Sequence, residues 1–204
     1  MPKDKTGTHE RIIAAAKEEF LACGFETASM RRIASDAGIT VSGLYKHFPN
    51  KEEMFAALVQ PMLDEFMMLY RQKEQEENDA IEQIGSAAAF LNEDAVYVMQ
   101  FIYDHLDAFK LLVCCSQGTR YEDYSHTLAA LEEESSLKFI EALRRHGDHV
   151  PDFDRREFHL LVSSNVEAVL QPIRHDFTRE EALHYAQTIN TFFAKGWKWL
   201  CGME

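Results

Sequence analysis

Between residues 51 and 200 little in the sequence can stop a helix. The 204-residue chain holds only nine glycines and five prolines. Turn clusters in that stretch are few, and alternating apolar–polar strand patterns are scarce. Apolar residues recur instead at three- and four-residue intervals, the period that gathers side chains on one face of a helix. The expected fold class is therefore all-α. With 46% hydrophobic residues, the chain can bury a sizeable core in one domain or two small ones.

No run of about 18 consecutive apolar residues occurs, so no membrane span is expected. The start, Met1-Pro2-Lys3-Asp4-Lys5, leads into a polar segment and lacks the apolar stretch of a secretory signal. A cytoplasmic protein is the expectation. Cys23, Cys114, Cys115 and Cys201 contain no C-x-x-C pair and suggest no disulfide framework. They are expected to be reduced core thiols. The formal net charge of −13 argues at first against a polyanionic partner. Residues 1–51, however, carry eight Lys/Arg against six Asp/Glu, which leaves −15 on the remainder. That asymmetry suits a nucleic-acid-binding head on a solvated acidic body.

Ile12, Ala16 and Phe20, flanked by Ile13 and Cys23, form one apolar stripe at helical spacing. Thr8 is placed to cap that helix, Glu10 suits its positive end, and Gly24 stops it. A second short helix turns Met30, Ile33, Ala34 and Ala37 inward. In Ala37-Gly38-Ile39-Thr40, Gly38 provides the left-handed backbone past a helix end, Ile39 plugs the core and Thr40 caps the next helix. That third helix reaches from Val41 to about His47, because Pro49 disfavours helical geometry at Phe48. Two short helices across a glycine bend form a helix-turn-helix. Seven residues at roughly 1.5 Å each span about 10 Å, a fit for a major groove about 12 Å wide.

Asn50 and Glu53 make a capping-box pattern around Lys51, whose cation opposes the helix dipole. A bound phosphate would account for it, and so would plain solvation. Gly43 costs about 1 kcal/mol relative to alanine inside a helix. Close approach to DNA and the tolerance of a short helix explain it equally.

Gly24-Phe25-Glu26, Ser29-Met30-Arg31, Ile33-Ala34, Ala37-Gly38-Ile39-Thr40, Leu44-Tyr45-Lys46-His47-Phe48 and Lys51-Glu52-Glu53 run in order at fixed spacing. Through them, about residues 9–55 resemble the DNA-binding domain of the TetR/AcrR family. The rest of the chain matches that family only in length and helical character. The resemblance implies a three-helix helix-turn-helix DNA-binding domain, residues 1–50, and a helical ligand-binding and dimerisation domain, residues 51–204, about nine helices in all. It implies a sequence-specific transcriptional regulator rather than an enzyme, with no cofactor. Its partners would be a palindromic double-stranded DNA operator, a twin subunit bound through the last two helices, and a small-molecule effector that releases it as a repressor. Tyr45, His47, Lys51 and Ser29 would meet phosphates, Ser29 through its hydroxyl and backbone N–H. Thr40, Val41, Ser42 and Lys46 would read base edges, with Gly43 among them. Leu44 and Phe48 would face inward. Two positions depart from the family pattern. Ala28 stands where a hydroxyl residue is common, leaving the cap to Thr27 or Ser29. Val41 stands where lysine or another polar residue is common.

Beyond the head, Asn50 to about Lys73 reads as a helix kinked at Pro61, and Arg71 to Asp79 as a polar linker or helix end. Further helices are expected over Ala80–Asp104, Leu106–Cys115, Thr119 to about Arg145, Asp154–Gln171 and Thr178–Leu200. In the last two, Phe158, Leu161, Val162, Asn165, Val166 and Val169 are expected inside, as are Ala182, Tyr185, Ala186, Ile189, Phe193 and Gly196. Such faces suit a four-helix dimer interface or the core of a monomer. A ligand pocket is expected among residues 80–175. Phe101, Tyr103, His105, Phe109, Cys114 and Tyr124 are candidates because they combine apolar walls with polar tips, although plain core has the same pattern. Asn165 is either a pocket group or an interface amide.

Asp104, His105 and Cys114 are the residue types of a thiol hydrolase, but no nucleophile turn or oxyanion loop accompanies them. No metal site is expected, since Gly147 separates His146 from His149. The alternative functions are a helical partner-binding protein and a regulator sensing metal through Cys114, Cys115 and a histidine.

Overall fold

The computed structural model describes residues 5–84 and 94–203, and these are all-helical. The helices are α1 (Lys5–Thr27), α2 (Met30–Asp36), α3 (Val41–Leu44), α4 (Lys51–Ile84), α5 (Asp94–Asp104), α6 (Leu106–Cys114), α7 (Tyr124–His146), α8 (Arg155–Arg174) and α9 (Arg179–Leu200). By packing, one unit comprises Met1–Glu65 and His105–Glu122, the other Phe66–Asp104 and Asp123–Glu204. The head is thus grouped by packing with the start of α4 and with α6.

In the first unit Ile12, Ala16 and Phe20 of α1 are fully buried. The Phe55 ring lies 5.3 Å from Phe20, 5.6 Å from Phe25 and 6.1 Å from Tyr121, so α1, α4 and the segment after α6 share one aromatic core. The Phe25 N–H donates to the Cys115 carbonyl at 2.9 Å, and Lys17 pairs with Asp107 at 2.6 Å. Thr8 lies inside α1 rather than capping it, and its hydroxyl accepts from Arg11 Nη2 at 3.2 Å. Gly24 breaks the helical run at φ 74°, and helix resumes to Thr27.

Several boundaries differ from expectation. Arg71–Asp79 is not a linker, because α4 continues through Pro61 to Ile84. Side-chain bonds four residues apart, Gln72 to Glu76 at 2.8 Å and Gln75 to Asp79 at 2.9 Å, support this polar stretch. Ala80 therefore belongs to α4 and Asp94–Asp104 to α5, while residues 85–93 of the expected Ala80–Asp104 helix lie outside the described residues. Nor does Thr119 open a helix. Its buried hydroxyl donates to the Ser116 carbonyl at 2.6 Å and accepts from the Tyr121 N–H at 3.0 Å. The Glu122 carboxylate accepts from the Gly118 N–H at 2.8 Å, so these polar groups close a turn and α7 starts at Tyr124.

In the second unit α7 packs on α8 and α5 on α9. Phe158, Val162, Ile140, Leu143, Val150 and Cys201 form one core, with the Phe153 ring 4.8 Å and the Trp197 ring 5.7 Å from Phe158. Asp154 caps α8, accepting from the Arg156 and Glu157 N–H groups at 2.7 and 3.2 Å. Helix α8 continues past Gln171 through Pro172 to Arg174. Leu161 was expected inside but is 44% exposed; Asn165, Val169, Tyr185 and Phe193 are half-buried and Gly196 is exposed. The core-thiol expectation holds for Cys201 alone: Cys23 and Cys114 are exposed and Cys115 is half-buried, all four being free thiols. Cys23 lies at the margin of the α1 stripe and donates to the Glu19 carbonyl at 3.1 Å. No helix among the described residues is long and apolar enough to cross a membrane.

Thr178 and Glu181 form a reciprocal capping box on α9: the Thr178 hydroxyl accepts from the Glu181 N–H at 3.3 Å, and the Glu181 carboxylate accepts from the Thr178 N–H at 2.8 Å. Thr178→Ala is expected to cost about 1 kcal/mol, read as a lower denaturation midpoint. The hydrogen bonds from Thr178 hold the Glu181 carboxyl below its usual range. The contribution of that carboxylate is thus present at neutral pH and is lost as pH falls through the lowered value.

Candidate nucleic-acid interface

The start of α2 is set by a buried acid on α1. Glu19 is 6% exposed; one carboxylate oxygen accepts the Ser29 N–H at 2.9 Å and the other pairs with Arg32 Nε at 3.3 Å. Ser29 is the N-cap, its hydroxyl accepting from the Arg32 N–H at 3.4 Å. The cap left open between Thr27 and Ser29 therefore falls to Ser29. Its N–H, expected to meet phosphate, is already bonded to Glu19, and the hydroxyl is the group it has to present.

The bend between α2 and α3 follows the sequence closely. Gly38 has φ +69°, a conformation that glycine adopts without a Cβ clash. The Ile39 N–H bonds the Ala34 carbonyl at 2.9 Å, and Arg11 Nε of α1 reaches the Ala37 carbonyl at 3.3 Å. Ile33, Ala34, Ala37, Leu44 and Phe48 are buried beneath it. Thr40 caps α3, accepting the Gly43 N–H at 3.1 Å.

Helix α3 is shorter than expected. Only Val41–Leu44 is α-helical; the chain then tightens, with Lys46 N–H to Gly43 carbonyl at 3.2 Å and His47 N–H to Leu44 carbonyl at 2.9 Å. Pro49 bars Phe48 from helical geometry, so the last turn winds up rather than running on. Gly43 gains an explanation inside the protein, for a Cβ there would come within 3.2 Å of the Thr40 hydroxyl oxygen.

Thr40, Ser42, Tyr45 and Lys46 are exposed, Tyr45 by 49%, while Val41, Gly43 and His47 are half-buried. The His9 ring of α1 stacks on Phe48 at 5.2 Å and stands 6.1 Å from His47. Lys51 donates to the Glu26 and Ala28 carbonyls at 3.0 and 3.2 Å and lies 4.6 Å from the centre of the Phe25 ring. Its cation at the start of α4 is therefore balanced by carbonyls at the end of α1. The Asn50 cap forms at 2.7 Å, but the Glu53 side chain pairs with Arg120 at 3.2 Å. Arg11, Glu19 and His9 were not singled out from sequence, because each acts through a partner far along the chain.

Of the seven expected pocket residues, four lie in the second unit and three in the first. Phe101 is buried with its ring 5.6 Å from Phe66, and the buried Tyr103 donates to the Phe177 carbonyl at 2.8 Å. Burial pushes the phenol of the half-buried Tyr124 up to about 12. In the first unit, His105 lies 3.5 Å from Glu65, Phe109 is core and Cys114 is exposed. A cavity of about 270 Å³ in the second unit, walled by α4, α5, α7, α8 and α9, includes Asn165 alone of the seven. Asp104 pairs with Arg179 at 2.6 Å. No group of three or more potential metal ligands occurs among the described residues.

Residues 12–58 match the family described as "Bacterial regulatory proteins, tetR family". Among curated proteins, the HTH-type transcriptional regulators SAR2658 and SAUSA300_2515 of Staphylococcus aureus are 30% identical over 118 residues and 31% identical over 123 residues. The match spans 58% of this chain and 58% of the length of each relative. Among solved structures, a TetR-like transcriptional regulator from Rhodococcus sp. RHA1 aligns with a TM-score of 0.55 at 17% identity, covering 96% of each chain. NalD of Pseudomonas aeruginosa, the secondary repressor of the MexAB-OprM multidrug efflux pump, gives 0.59 at 16% identity, over 92% of this chain and 95% of that one. At such identities the likeness is one of fold.

Proposed function

We propose that this chain, whose residues 12–58 match the TetR family of bacterial regulatory proteins, is a dimeric repressor released from a palindromic operator by a small molecule. The observation that carries the DNA-binding part is the outward face of the helix-turn-helix, where Thr40, Ser42, Tyr45 and Lys46 lie exposed above a buried Leu44 and Phe48. Tyr45, His47 and the Ser29 hydroxyl take phosphates. Thr40, Val41, Ser42 and Lys46, with the close-lying Gly43 backbone, take base edges. An ammonium has three protons. Two of those on Lys51 bond carbonyls, and a phosphate oxygen takes the third.

The dimer forms through α8 and α9. Leu160 and Leu161 on α8 and Phe192 and Trp199 on α9 are 44–71% exposed, an apolar surface that a second copy would cover. Two heads about 34 Å apart then read the two half-sites. Release runs through the chain's own connections. Helix α6 is bound to α1 by the Lys17–Asp107 pair, and the segment after it is tied to α4 by Arg120 N–H to Glu52 at 3.1 Å and Tyr121 O–H to Gln60 at 2.9 Å. Helices α5 and α7, which precede and follow that stretch, wall the cavity. An effector that favours one arrangement of α5 and α7 therefore moves the head by way of α6, with an energy equal to its difference in affinity for the two states.

Selection of bound genomic fragments, followed by anisotropy across a salt series, tests this reading. Affinity should fall steeply with salt. Tyr45→Ala should weaken every fragment alike and leave the denaturation midpoint in place. Lys46→Ala should change which sequence is preferred, with about 1–3 kcal/mol at stake per well-read base. Lys51→Ala should do what Tyr45→Ala does not and lower stability as well, by about 1–2 kcal/mol. Salt-insensitive binding, or parental affinity in Tyr45→Ala, would count against the reading.

A further inference from the structure

Three of the four cysteines gather in the first unit, where the end of α1 meets the end of α6. Two bonds fix the register of these helices: Lys17 to Asp107 at 2.6 Å, and the Phe25 N–H to the Cys115 carbonyl at 2.9 Å. The step from Lys17 to Phe25 equals the step from Asp107 to Cys115, so α1 and α6 run parallel and level with one another. Cys23 then stands beside residue 113, within about 3 Å along the axis of Cys114 and Cys115. Packed helices lie about 8–10 Å apart, a gap that side chains from the two sides fill.

The thiols meet solvent unequally. Cys23 and Cys114 are exposed, and Cys115 is half-buried. Burial, then the neighbouring Cys114 and Cys23, push the Cys115 thiol up. The influence of Cys23 on Cys115 agrees with the register. A thiolate, not a thiol, attacks an oxidant, and access decides which sulfur meets it first. Cys115 is held as a thiol behind its neighbours, whereas Cys23 is open. The Cys23 S–H donates only a weak bond, to the Glu19 carbonyl at 3.1 Å.

We propose that Cys23 and Cys115 form a modification site, a thiol pair that a hydroperoxide closes into a disulfide between α1 and α6. With hydrogen peroxide, Cys23 gives its proton to water and its sulfur attacks one peroxide oxygen. An S–O bond forms, the O–O bond breaks, and the leaving hydroxide takes up a proton as water. The sulfur is oxidised by two electrons and the peroxide is reduced by two. The Cys115 sulfur then attacks the Cys23 sulfur. The S–S bond forms, the S–O bond breaks, and the departing hydroxide takes the Cys115 proton as a second water.

Mass spectrometry of the intact chain tests this after hydrogen peroxide treatment, alkylation and trypsin digestion without reductant. Cleavage after Lys17, Arg31, Lys110 and Arg120 puts Cys23 in peptide 18–31 and both Cys114 and Cys115 in peptide 111–120. The two peptides should appear joined within one chain, with fragmentation placing the bond on Cys115, and dithiothreitol should separate them. Cys114→Ser should keep the link, and Cys23→Ser and Cys115→Ser should lose it. A bond between Cys114 and Cys115, a link between chains, or Cys23 carried on to sulfinic acid without a link overturns the proposal. The parent result decides alone should a variant fail to fold.

A consequence for operator binding rests on the regulator reading above. The link ties the head to α6, so operator affinity should differ at least about tenfold between oxidised and reduced protein and return with dithiothreitol. Link formation is scored without DNA. Its failure therefore overturns the thiol pair and leaves the regulator standing, and equal operator affinity in both redox states overturns the regulatory use.

Discussion

Phe192→Glu is expected to leave a folded monomer of 23.5 kDa and to lower operator affinity by about 10²-fold or more, the usual scale of a lost second attachment. Phe192 is 71% exposed on α9, so its loss removes nothing from the core of one subunit, and glutamate is a good helix former. In a two-fold interface the same substitution enters twice. In the proposed interface each copy would place a carboxylate among Leu161, Trp199 and their counterparts, and an unpaired buried charge costs several kcal/mol. Sedimentation equilibrium gives the mass, and anisotropy on a palindrome and on a single half-site gives the two affinities. Half-site binding should survive while the palindrome loses its advantage. A variant that stays dimeric with parental operator affinity would place the interface elsewhere.

Phe55→Ala is expected to lower stability by about 3–5 kcal/mol, a large share of the roughly 5–15 kcal/mol that holds a typical protein together. Phe55 is fully buried, and its ring meets Phe20, Phe25 and Tyr121 from three different segments. Truncation removes the apolar transfer term and leaves a cavity that three separately anchored rings cannot easily fill. Guanidinium denaturation measures the loss. Because the same ring joins α1 to α4 and to Tyr121, operator binding should also fail at a lower temperature than in the parent. A loss below about 1 kcal/mol would mean that the rings close over the gap, contrary to the packing described here.

The helix-turn-helix was largely legible because its determinants are local. Gly38 takes the left-handed bend, Thr40 caps α3, and Leu44 and Phe48 go inside, each within a few residues of the group it serves. The α8 and α9 caps at Asp154 and Thr178 were read for the same reason. Legibility ended where one motif has two outcomes. Thr119 with Glu122 has the spacing of a capping box, yet its hydroxyl closes a turn with Ser116. The polar run Arg71–Asp79 looks like a linker but is carried as helix by bonds between neighbouring turns. Aromatic residues at helical spacing mark buried faces without saying which face borders a void, and of the seven candidates Asn165 lines the cavity of about 270 Å³ in the second unit.

Local chemistry in the sequence determined that this chain is helical, where its recognition bend lies, and which short segment turns a polar face outward. Period, capping residues and a glycine that must adopt positive φ all act within a turn or two of backbone. Tertiary structure alone decided which distant groups meet: Glu19 with Ser29, Lys51 with the carbonyls of Glu26 and Ala28, and Tyr70 with Glu132. Such pairs depend on how helices cross in space. Spacing along the chain sets the face each residue occupies, but the partner opposite is set by packing.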